Sequence, residues 1–204
     1  MAVKPNYRVA TVEKKEKYSS SHDDLYRFEV DRTGETIEVE AGDSAWYIED
    51  GVAKTVRGPA MVTTEAAVTV IRGYAPRNQI VSIEGGTNLP YINGCSSEQL
   101  IPPVRVGDPT MQLLYIPPNA MEQAHHIHAT ARVVHVLEGS GQSVIGMNGE
   151  TKLGLSKGMT LVLDRMVPHH FVTGDDCLLV APIHIWSSTP LEQGHPMFYG
   201  TIKT

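Results

Sequence analysis

From Leu25 onward the chain alternates short runs of β-branched and aromatic residues with residues that favour turns. Runs such as LYRFEV, QIVSIEG, ARVVHVLEG and CLLVAPIHIW have the composition of β-strands, and turn signals separate them at intervals of about 8 to 12 residues. No segment shows the period of about 3.6 residues that marks an amphipathic helix. The pattern predicts an all-β chain of antiparallel strands that forms a sandwich or a barrel.

Three segments are predicted along the chain. Residues 1–24 are charged, serine-rich and aperiodic, which indicates an N-terminal arm that is ordered only where it docks. Residues 25–104 are a β-rich N-terminal region with a connector, and residues 105–204 are a second β-rich region with a C-terminal tail. The connector, residues 86–110, is rich in Gly, Pro, Asn and Ser, so it is expected to be irregular and to pass near a site. In the second region, Asn148-Gly149 favours a type I′ hairpin.

Composition narrows the classes of function. The chain has 204 residues, with 17 Lys and Arg against 23 Asp and Glu, and a formal net charge of −6. A nucleic-acid partner is not expected, because no basic stripe is present to neutralise phosphates. We also expect no membrane partner, because no apolar run approaches the length of about 18 residues that a span needs. Cys95 and Cys177 form neither a disulfide framework nor a zinc ribbon, and the N-terminus has no apolar secretion signal, so we expect a cytoplasmic protein.

Histidines are concentrated in the second region. Eight of the nine lie between His125 and His195, and three of them occur in the segment HHIH at 125–128. Alternate side chains of an extended strand share one face, so His126 and His128 are expected to point the same way, about 6.5 to 7 Å apart along the backbone. That spacing allows two imidazoles to bind one ion. His125 faces the other side, as does His135 unless a bulge intervenes.

A useful metal site needs a third ligand, and the segment VPHHF at 167–171 offers His169 or His170 on a later strand. Any one histidine is more often a satisfied core or surface residue, but the combined spacing favours a metal site at His126, His128 and His169. Three neutral imidazoles with open coordination positions suit Fe(II), and on ligand type alone also Zn, Ni, Mn or Cu. His125, His135 and His170 are expected to be ordinary polar residues, or to support the ligands through hydrogen bonds.

The residues of this region resemble the two motifs of the cupin superfamily, over about residues 105–186. The first motif is G(x)5HxH(x)3,4E(x)6G and the second is G(x)5PxG(x)2H. The chain matches them at three histidines and two glycines: His126, His128, Gly139, Gly158 and His169. The resemblance implies a double-stranded β-helix, the jelly-roll barrel of cupins, with an additional N-terminal β-rich region. Many cupins pair through strands outside the barrel, which implies a homodimer.

The chain departs from both motifs. Arg132 stands where the first has its metal-binding glutamate, and Asp164 and Met166 stand where the second has Pro and Gly. Cupins with three histidines and no glutamate include dioxygenases of thiols, of β-diketones and of gentisate-like aromatic acids. The run from His126 to Gly139 is similar in spacing to that of the gentisate group.

The N-terminal region contains a weaker similarity. Residues 40–56, EAGDSAWYIEDGVAKTV, resemble a second cupin motif with Glu49 for Pro, Gly51 retained and Lys54 in place of His. No HxH precedes this segment, so a barrel built from it would bind no metal and would serve structure or dimer formation.

Arg132 has three possible roles. Arginine has no lone pair to give, so it cannot replace glutamate as a ligand. It shares the parity of His126 and His128, so its guanidinium could face the ion and clamp a substrate carboxylate or enolate. Alternatively it forms an internal salt bridge to Glu138, Asp164 or Glu122. A bulge could also turn Arg132 outward and bring in His135 as a fourth ligand.

The resemblance and the histidines favour a mononuclear non-haem Fe(II) dioxygenase that acts on a small anionic substrate, with Arg132 as its catalytic side chain. Tyr115, Gln123 and Trp186 are candidates for the pocket wall, with ordinary packing as the alternative. Two other functions stay open. In the first, a lyase, isomerase or hydrolase uses the ion only to polarise a carbonyl. In the second, the chain is a non-catalytic cupin that binds a small ligand.

Overall fold

The computed structural model describes residues 8–21 and 26–186. Within these ranges the chain is almost entirely β, with one 3-10 turn at Ile92–Gly94 and no α-helix. The strands of the first half are β1 (Val9–Thr11), β2 (Lys17–Ser19), β3 (Phe28–Asp31), β4 (Ile37–Val39), β5 (Ser44–Glu49), β6 (Val52–Arg57), β7 (Ala60–Val62), β8 (Val68–Ile71) and β9 (Gln79–Ser82). Those of the second half are β10 (Leu89–Pro90), β11 (Ser96–Ile101), β12 (Thr110–Ile116), β13 (Thr130–Ile145), β14 (Thr151–Ser156), β15 (Thr160–Leu163), β16 (His169–Val172) and β17 (Leu178–Trp186).

The strands form two main sheets in which every pairing is antiparallel. A nine-stranded sheet has the order β1-β15-β13-β17-β12-β11-β10, and β14 and β16 also pair with β13. A six-stranded sheet has the order β2-β3-β8-β5-β6-β9, beside the short pair β4-β7. The all-β jelly-roll class with an additional N-terminal β region is therefore confirmed. No helix in the described ranges has the length and apolar character needed to cross a bilayer.

Strand β13 organises the nine-stranded sheet. The run ARVVHVLEG and the first five residues of GQSVIGM belong to one strand of 16 residues, whose first half pairs with β15 and β17 and whose second half pairs with β14 and β16. The two halves meet at a register shift between Val136 and Glu138 and at Gly139, which has φ 75°. A Cβ on Gly139 would lie 1.9 Å from the carbonyl oxygen of Cys177, so this bend requires glycine.

The expectation that residues 86–110 form an irregular connector was wrong for Ser96–Ile101. This segment is strand β11, which pairs with β12 from Ser96 opposite Tyr115 to Ile101 opposite Met111. Leu100 and Ile101 are buried, and the polar residues before them are half-buried. Their polarity masked a strand that is stabilised by its neighbours, because strand propensity depends strongly on tertiary context.

The type I′ hairpin predicted at Asn148-Gly149 is also wrong. Ile145 pairs with Thr151, so five residues separate the strands, and only Gly149 of the predicted pair has a positive φ. The turn Asp50-Gly51 instead has the two-residue geometry, with φ 49° and 71°, and it joins β5 to β6. Beside it, Lys54 forms an ion pair of 2.8 Å with Glu49.

Two apolar clusters build the core around the nine-stranded sheet. One joins it to the N-terminal strands and includes Phe28, Trp46, Met111, Val133 and Ile183. The other fills the interior around β13, β15 and β16 and includes Ile116, Val134, Leu161, Val167 and Phe171. Because Val167 and Phe171 flank His169, the second cluster fixes the backbone that carries one of the predicted ligands.

Candidate metal centre

Two chain segments meet at the predicted metal site. The backbone N–H of His126 donates to the carbonyl of His169 at 3.2 Å, and the N–H of His169 donates to the carbonyl of His126 at 2.9 Å. In such an antiparallel pair the two side chains project to the same side. The N–H of Met166 donates to the carbonyl of His128 at 2.7 Å, which holds the second histidine in place.

The HxH segment lies outside the named strands, next to a bulge. Asn119 to Glu122 run antiparallel to β16, with the Glu122 N–H donating to the carbonyl of Phe171. The next pairing is His126 with His169. Three residues separate Glu122 from His126, but only one separates His169 from Phe171, so the segment that leads to HxH carries two extra residues. A bulge of this kind redirects side chains. Here it brings Gln123 back against the ring of His126.

The three predicted ligands converge. One ligand atom from each of His126, His128 and His169 can be chosen so that all three atoms lie within 4.8 Å of one another. The Nε2 atoms of His126 and His128 are 2.8 Å apart, and the ring of His169 lies 4.7 Å from that of His126. In the described ranges this is the one group of three or more His, Cys, Asp or Glu side chains that could hold a metal ion.

Hydrogen bonds to the backbone orient two of the rings. His126 Nδ1 lies 2.9 Å from the carbonyl of Ala124, and His169 Nδ1 lies 2.6 Å from that of Val167. A carbonyl only accepts, so each Nδ1 carries the proton and each Nε2 presents a lone pair. The Nε2 of His169 is buried without a hydrogen-bond partner. Neighbouring ligands about 2.1 Å from an octahedral ion are about 3.0 Å apart, so the 2.8 Å between Nε2 of His126 and Nε2 of His128 fits two ligands of one first-row divalent ion.

The electrostatics keep these histidines neutral. Burial, and then the charge of Arg132, lowers the pKa of His126 to about 4. The same causes lower the pKa of His128 and His169 well below the usual range. Neutral imidazoles are the form that binds metal, so the site requires no deprotonation step near neutral pH.

Arg132 is buried against the histidine cluster. It is 5% exposed, its Nη2 lies 3.3 Å from His169 Nδ1, and its Nε has no hydrogen-bond partner. Burial lowers its pKa to about 9, while Glu122 and Tyr91 act in the opposite direction. No salt bridge joins Arg132 to any described carboxylate, and Asp164 instead lies 3.9 Å from Arg8. Neither the internal salt bridge nor the outward-facing arginine is found.

Glu122 is the carboxyl group whose charge acts on Arg132. It is 5% exposed, and its Oε2 has no hydrogen-bond partner. Burial raises its pKa, although the positive charge of Arg132 opposes that rise. The centre therefore combines a buried cation and a buried acid that do not form a salt bridge.

Gln123 links the cluster to the connector. Its side-chain amide lies 2.6 Å from His126 Nε2, and the hydroxyl of Tyr91 donates to its Oε1 at 2.7 Å. Sequence reasoning placed Gln123 in the pocket wall but missed Tyr91. The available signal was the prediction that the connector passes near a site, and nothing in its composition singled out this tyrosine.

The other candidates lie outside the three-histidine cluster. His135 is buried with its Nδ1 3.2 Å from the hydroxyl of Thr160. His125 and His170 face each other, with their Nδ1 atoms 2.8 Å apart. Tyr115, on β12, pairs with Ser96 of β11 and Leu179 of β17, and Trp186, at the end of β17, pairs with Thr130. Of the other histidines in this region, His184 has its ring centroid 5.7 Å from that of His128, and His195 is outside the described residues.

The backbone explains both departures from the second motif. The N–H of Asp164 donates to the carbonyl of Arg8 at 3.0 Å, where β1 pairs with β15, and proline has no N–H to give. Met166 has φ 59°, the left-handed conformation that the motif glycine would adopt without strain. The local geometry is thus retained although both residues differ.

Solved structures share the fold. A protein of unknown function from Pseudomonas syringae pv. tomato is 11% identical, with a TM-score of 0.58 over 87% of this chain and 100% of that one. A cupin 2 conserved barrel domain protein from Leptotrichia buccalis is 15% identical, with a TM-score of 0.50 over 86% and 92%. No family model and no curated protein matches the sequence. The likeness shows a cupin-type fold, and the similarity to the gentisate group stays a prediction.

Proposed function

We propose that this chain is a metal-dependent enzyme, a mononuclear non-haem Fe(II) dioxygenase that acts on a small anionic substrate. The observation that carries the proposal is the convergence of His126, His128 and His169 beside the buried guanidinium of Arg132. When bound, the ion would supply Lewis acidity and, as Fe(II), the capacity to bring O2 and substrate together. Three neutral protein ligands leave room for both.

Arg132 selects the charge of the substrate. Its guanidinium is buried, has no carboxylate partner among the described residues and keeps an unused Nε donor. Uncompensated burial of a cation is costly, so the site is stabilised when an anion enters. A carboxylate or enolate oxygen would accept hydrogen bonds from the guanidinium, which positions the rest of the molecule toward the three imidazoles.

The surroundings favour a dry pocket. His169 is 1% exposed, and Val167 and Phe171 on either side of it are buried in the apolar cluster of the barrel. Exclusion of water strengthens the attraction between Arg132 and an anion, and it protects reactive species from side reactions.

A second candidate function is favoured by Glu122 and Tyr91. Burial raises the pKa of both side chains, and both groups are close enough to Arg132 to affect its pKa. A buried carboxyl group with an unused oxygen can give or take a proton, as a lyase, isomerase or hydrolase requires. Such an enzyme would need the metal only as a Lewis acid and would act without O2.

The experiment compares metal content and O2 consumption. Protein purified without added metal is analysed for bound metals, then loaded anaerobically with Fe(II) and assayed for O2 uptake with carboxylates and β-diketones. We expect bound metal and substrate-dependent O2 uptake. The variant His169→Ala should lose the metal, whereas His170→Ala, next to it but outside the cluster, should keep it.

Three outcomes would contradict the proposal in different ways. Full metal occupancy in His169→Ala would refute the ligand set. Turnover that continues without O2, with Zn or Mn in place of iron, would favour the Lewis-acid enzyme. Metal and ligand binding without any turnover would indicate a binding protein.

A further inference from the structure

We infer that the side-chain carbonyl oxygen of Gln123 is a fourth protein ligand of the metal, and that Tyr91 holds it in place. The inference rests on the proposed metal site. The donor set would then be three imidazoles and one amide oxygen. In the motif of this region the fourth ligand is a glutamate, and it stands at the position of Arg132, not of Gln123. Both residues lie outside the motif, Gln123 in the bulge and Tyr91 in the connector.

The distance places the amide at the ion. The end of the Gln123 side chain is 2.6 Å from Nε2 of His126, the same atom that is 2.8 Å from Nε2 of His128. Two ligands of one ion are separated by about 3.0 Å when each lies about 2.1 Å from it. The amide is therefore as close to the cluster as the histidines are to each other.

The orientation of the amide depends on what it faces. Against the bare lone pair of His126, the amide nitrogen must face the ring and donate, as in the hydrogen bond of 2.6 Å. Facing a cation, the same amide turns over, because only its oxygen has a lone pair to give. The exchange of N and O leaves the shape of the side chain unchanged.

Tyr91 accommodates both orientations. Its hydroxyl donates to Oε1 of Gln123 at 2.7 Å, and after the turn it would accept from the amide N–H at the same place. An amide without this partner would lose one hydrogen bond in either state. Tyr91 is thus a positioning residue that holds the amide against the cluster without contacting the ion.

The charge of the centre explains a neutral fourth ligand. Arg132 stands at the position of the motif glutamate and has no lone pair to offer. The guanidinium lies 3.3 Å from Nδ1 of His169, so the position that holds a carboxylate ligand in the motif here holds a cation that supplies no ligand. An amide oxygen from the bulge before the HxH segment completes the set without cancelling the positive field that attracts an anionic substrate.

The test is metal affinity, measured on the full chain by competition between the protein and a chelator for Zn2+ and for Co2+. We expect Gln123→Ala to bind about 10- to 100-fold more weakly than the wild type, and Tyr91→Phe to weaken binding less, in the same direction. Gln112→Ala is the matched control, because the amide of that glutamine donates to Gln99 at 3.0 Å and not to a histidine of the cluster. Its affinity should not change.

Gln123→Glu separates a ligand from a hydrogen-bond donor. A carboxylate can bind the ion but cannot donate to His126, so a ligand role predicts that Gln123→Glu retains or increases affinity and restores the Co2+ absorption bands altered in Gln123→Ala. Equal weakening in both variants, or wild-type affinity in Gln123→Ala, would overturn the inference. If the wild type itself binds neither metal, the proposed function fails first. Thermal unfolding of each variant confirms that it is folded.

Discussion

Replacing Gly139 with alanine should destabilise the barrel far more than the same change at Gly158, although both glycines match the motifs. Both have a left-handed backbone, with φ 75° and 85° respectively. They differ in their surroundings. A Cβ at Gly158 would have no heavy atom within 4 Å, apart from its chain neighbours, whereas a Cβ at Gly139 would lie 1.9 Å from the carbonyl oxygen of Cys177.

The expected magnitudes follow from this difference. Each alanine loses about 1 to 2 kcal/mol of stability from the left-handed conformation. At Gly139 the backbone must also shift by more than about 1 Å to reach ordinary contact, which adds about 1 to 3 kcal/mol of overpacking. That shift strains the hydrogen bond of 3.0 Å from the N–H of Ser140 to Cys177, worth about 1 kcal/mol. We expect losses of about 1 to 2 kcal/mol for Gly158→Ala and about 3 to 6 kcal/mol for Gly139→Ala.

The assay is urea unfolding followed by circular dichroism, with a chelator present so that metal binding does not contribute. Thermal unfolding gives a second measurement, in which 1 kcal/mol corresponds to about 2 to 4 °C for a chain of this size. Equal losses for the two variants would mean that conformation alone explains both glycines. The close approach of β13 to Cys177 would then have no energetic role, contrary to the account of the bend.

Three further predictions concern the second motif and a buried histidine. Met166→Gly should stabilise the fold by about 0.5 to 1 kcal/mol, since relief of the strain at φ 59° exceeds the entropy cost of glycine; a lower melting temperature would contradict it. Asp164→Pro should be about 1 kcal/mol less stable than Asp164→Ala, because it alone loses the N–H bonded to Arg8, and equal stability would refute this. Burial lowers the pKa of His135 to about 4, so between about pH 6.5 and pH 4 the unfolded state binds more protons and stability falls as pH falls. The decrease in unfolding free energy from pH 7 to pH 5 should therefore be about 2 kcal/mol smaller in His135→Gln, and an unchanged decrease would contradict this pKa.

The strands were predictable where local pattern and burial agree. Runs such as MTLVLD and HHFVT gave β15 and β16, because their apolar residues face the core of the barrel. Strand β11 was missed because its first four residues are polar and only Leu100 and Ile101 are buried. Its pairing partner β12 decides its conformation, and a single sequence carries no direct signal of that partner.

The convergence of the histidines was predictable although their setting was not. Alternation of side chains requires only an extended backbone, so His126 and His128 point together even outside a regular strand. The inward position of Arg132 follows from β13, where it pairs between Leu163 and His184. The bulge that brings in Gln123 depends on pairing with β16, so no count of residues along the sequence indicated it.

The position of Arg132 reverses the electrostatics that a glutamate would give. A carboxylate beside three imidazoles would offset part of the charge of a divalent ion, whereas the guanidinium adds to it. Glu122 offsets this only in part, because burial raises its pKa and favours its neutral form. An anionic ligand therefore relieves two unfavourable charges at once, that of the ion and that of Arg132. We therefore expect a metal in this cluster to be held most strongly when an anion is bound beside it, and that coupling would suit a substrate site better than a permanent structural metal site.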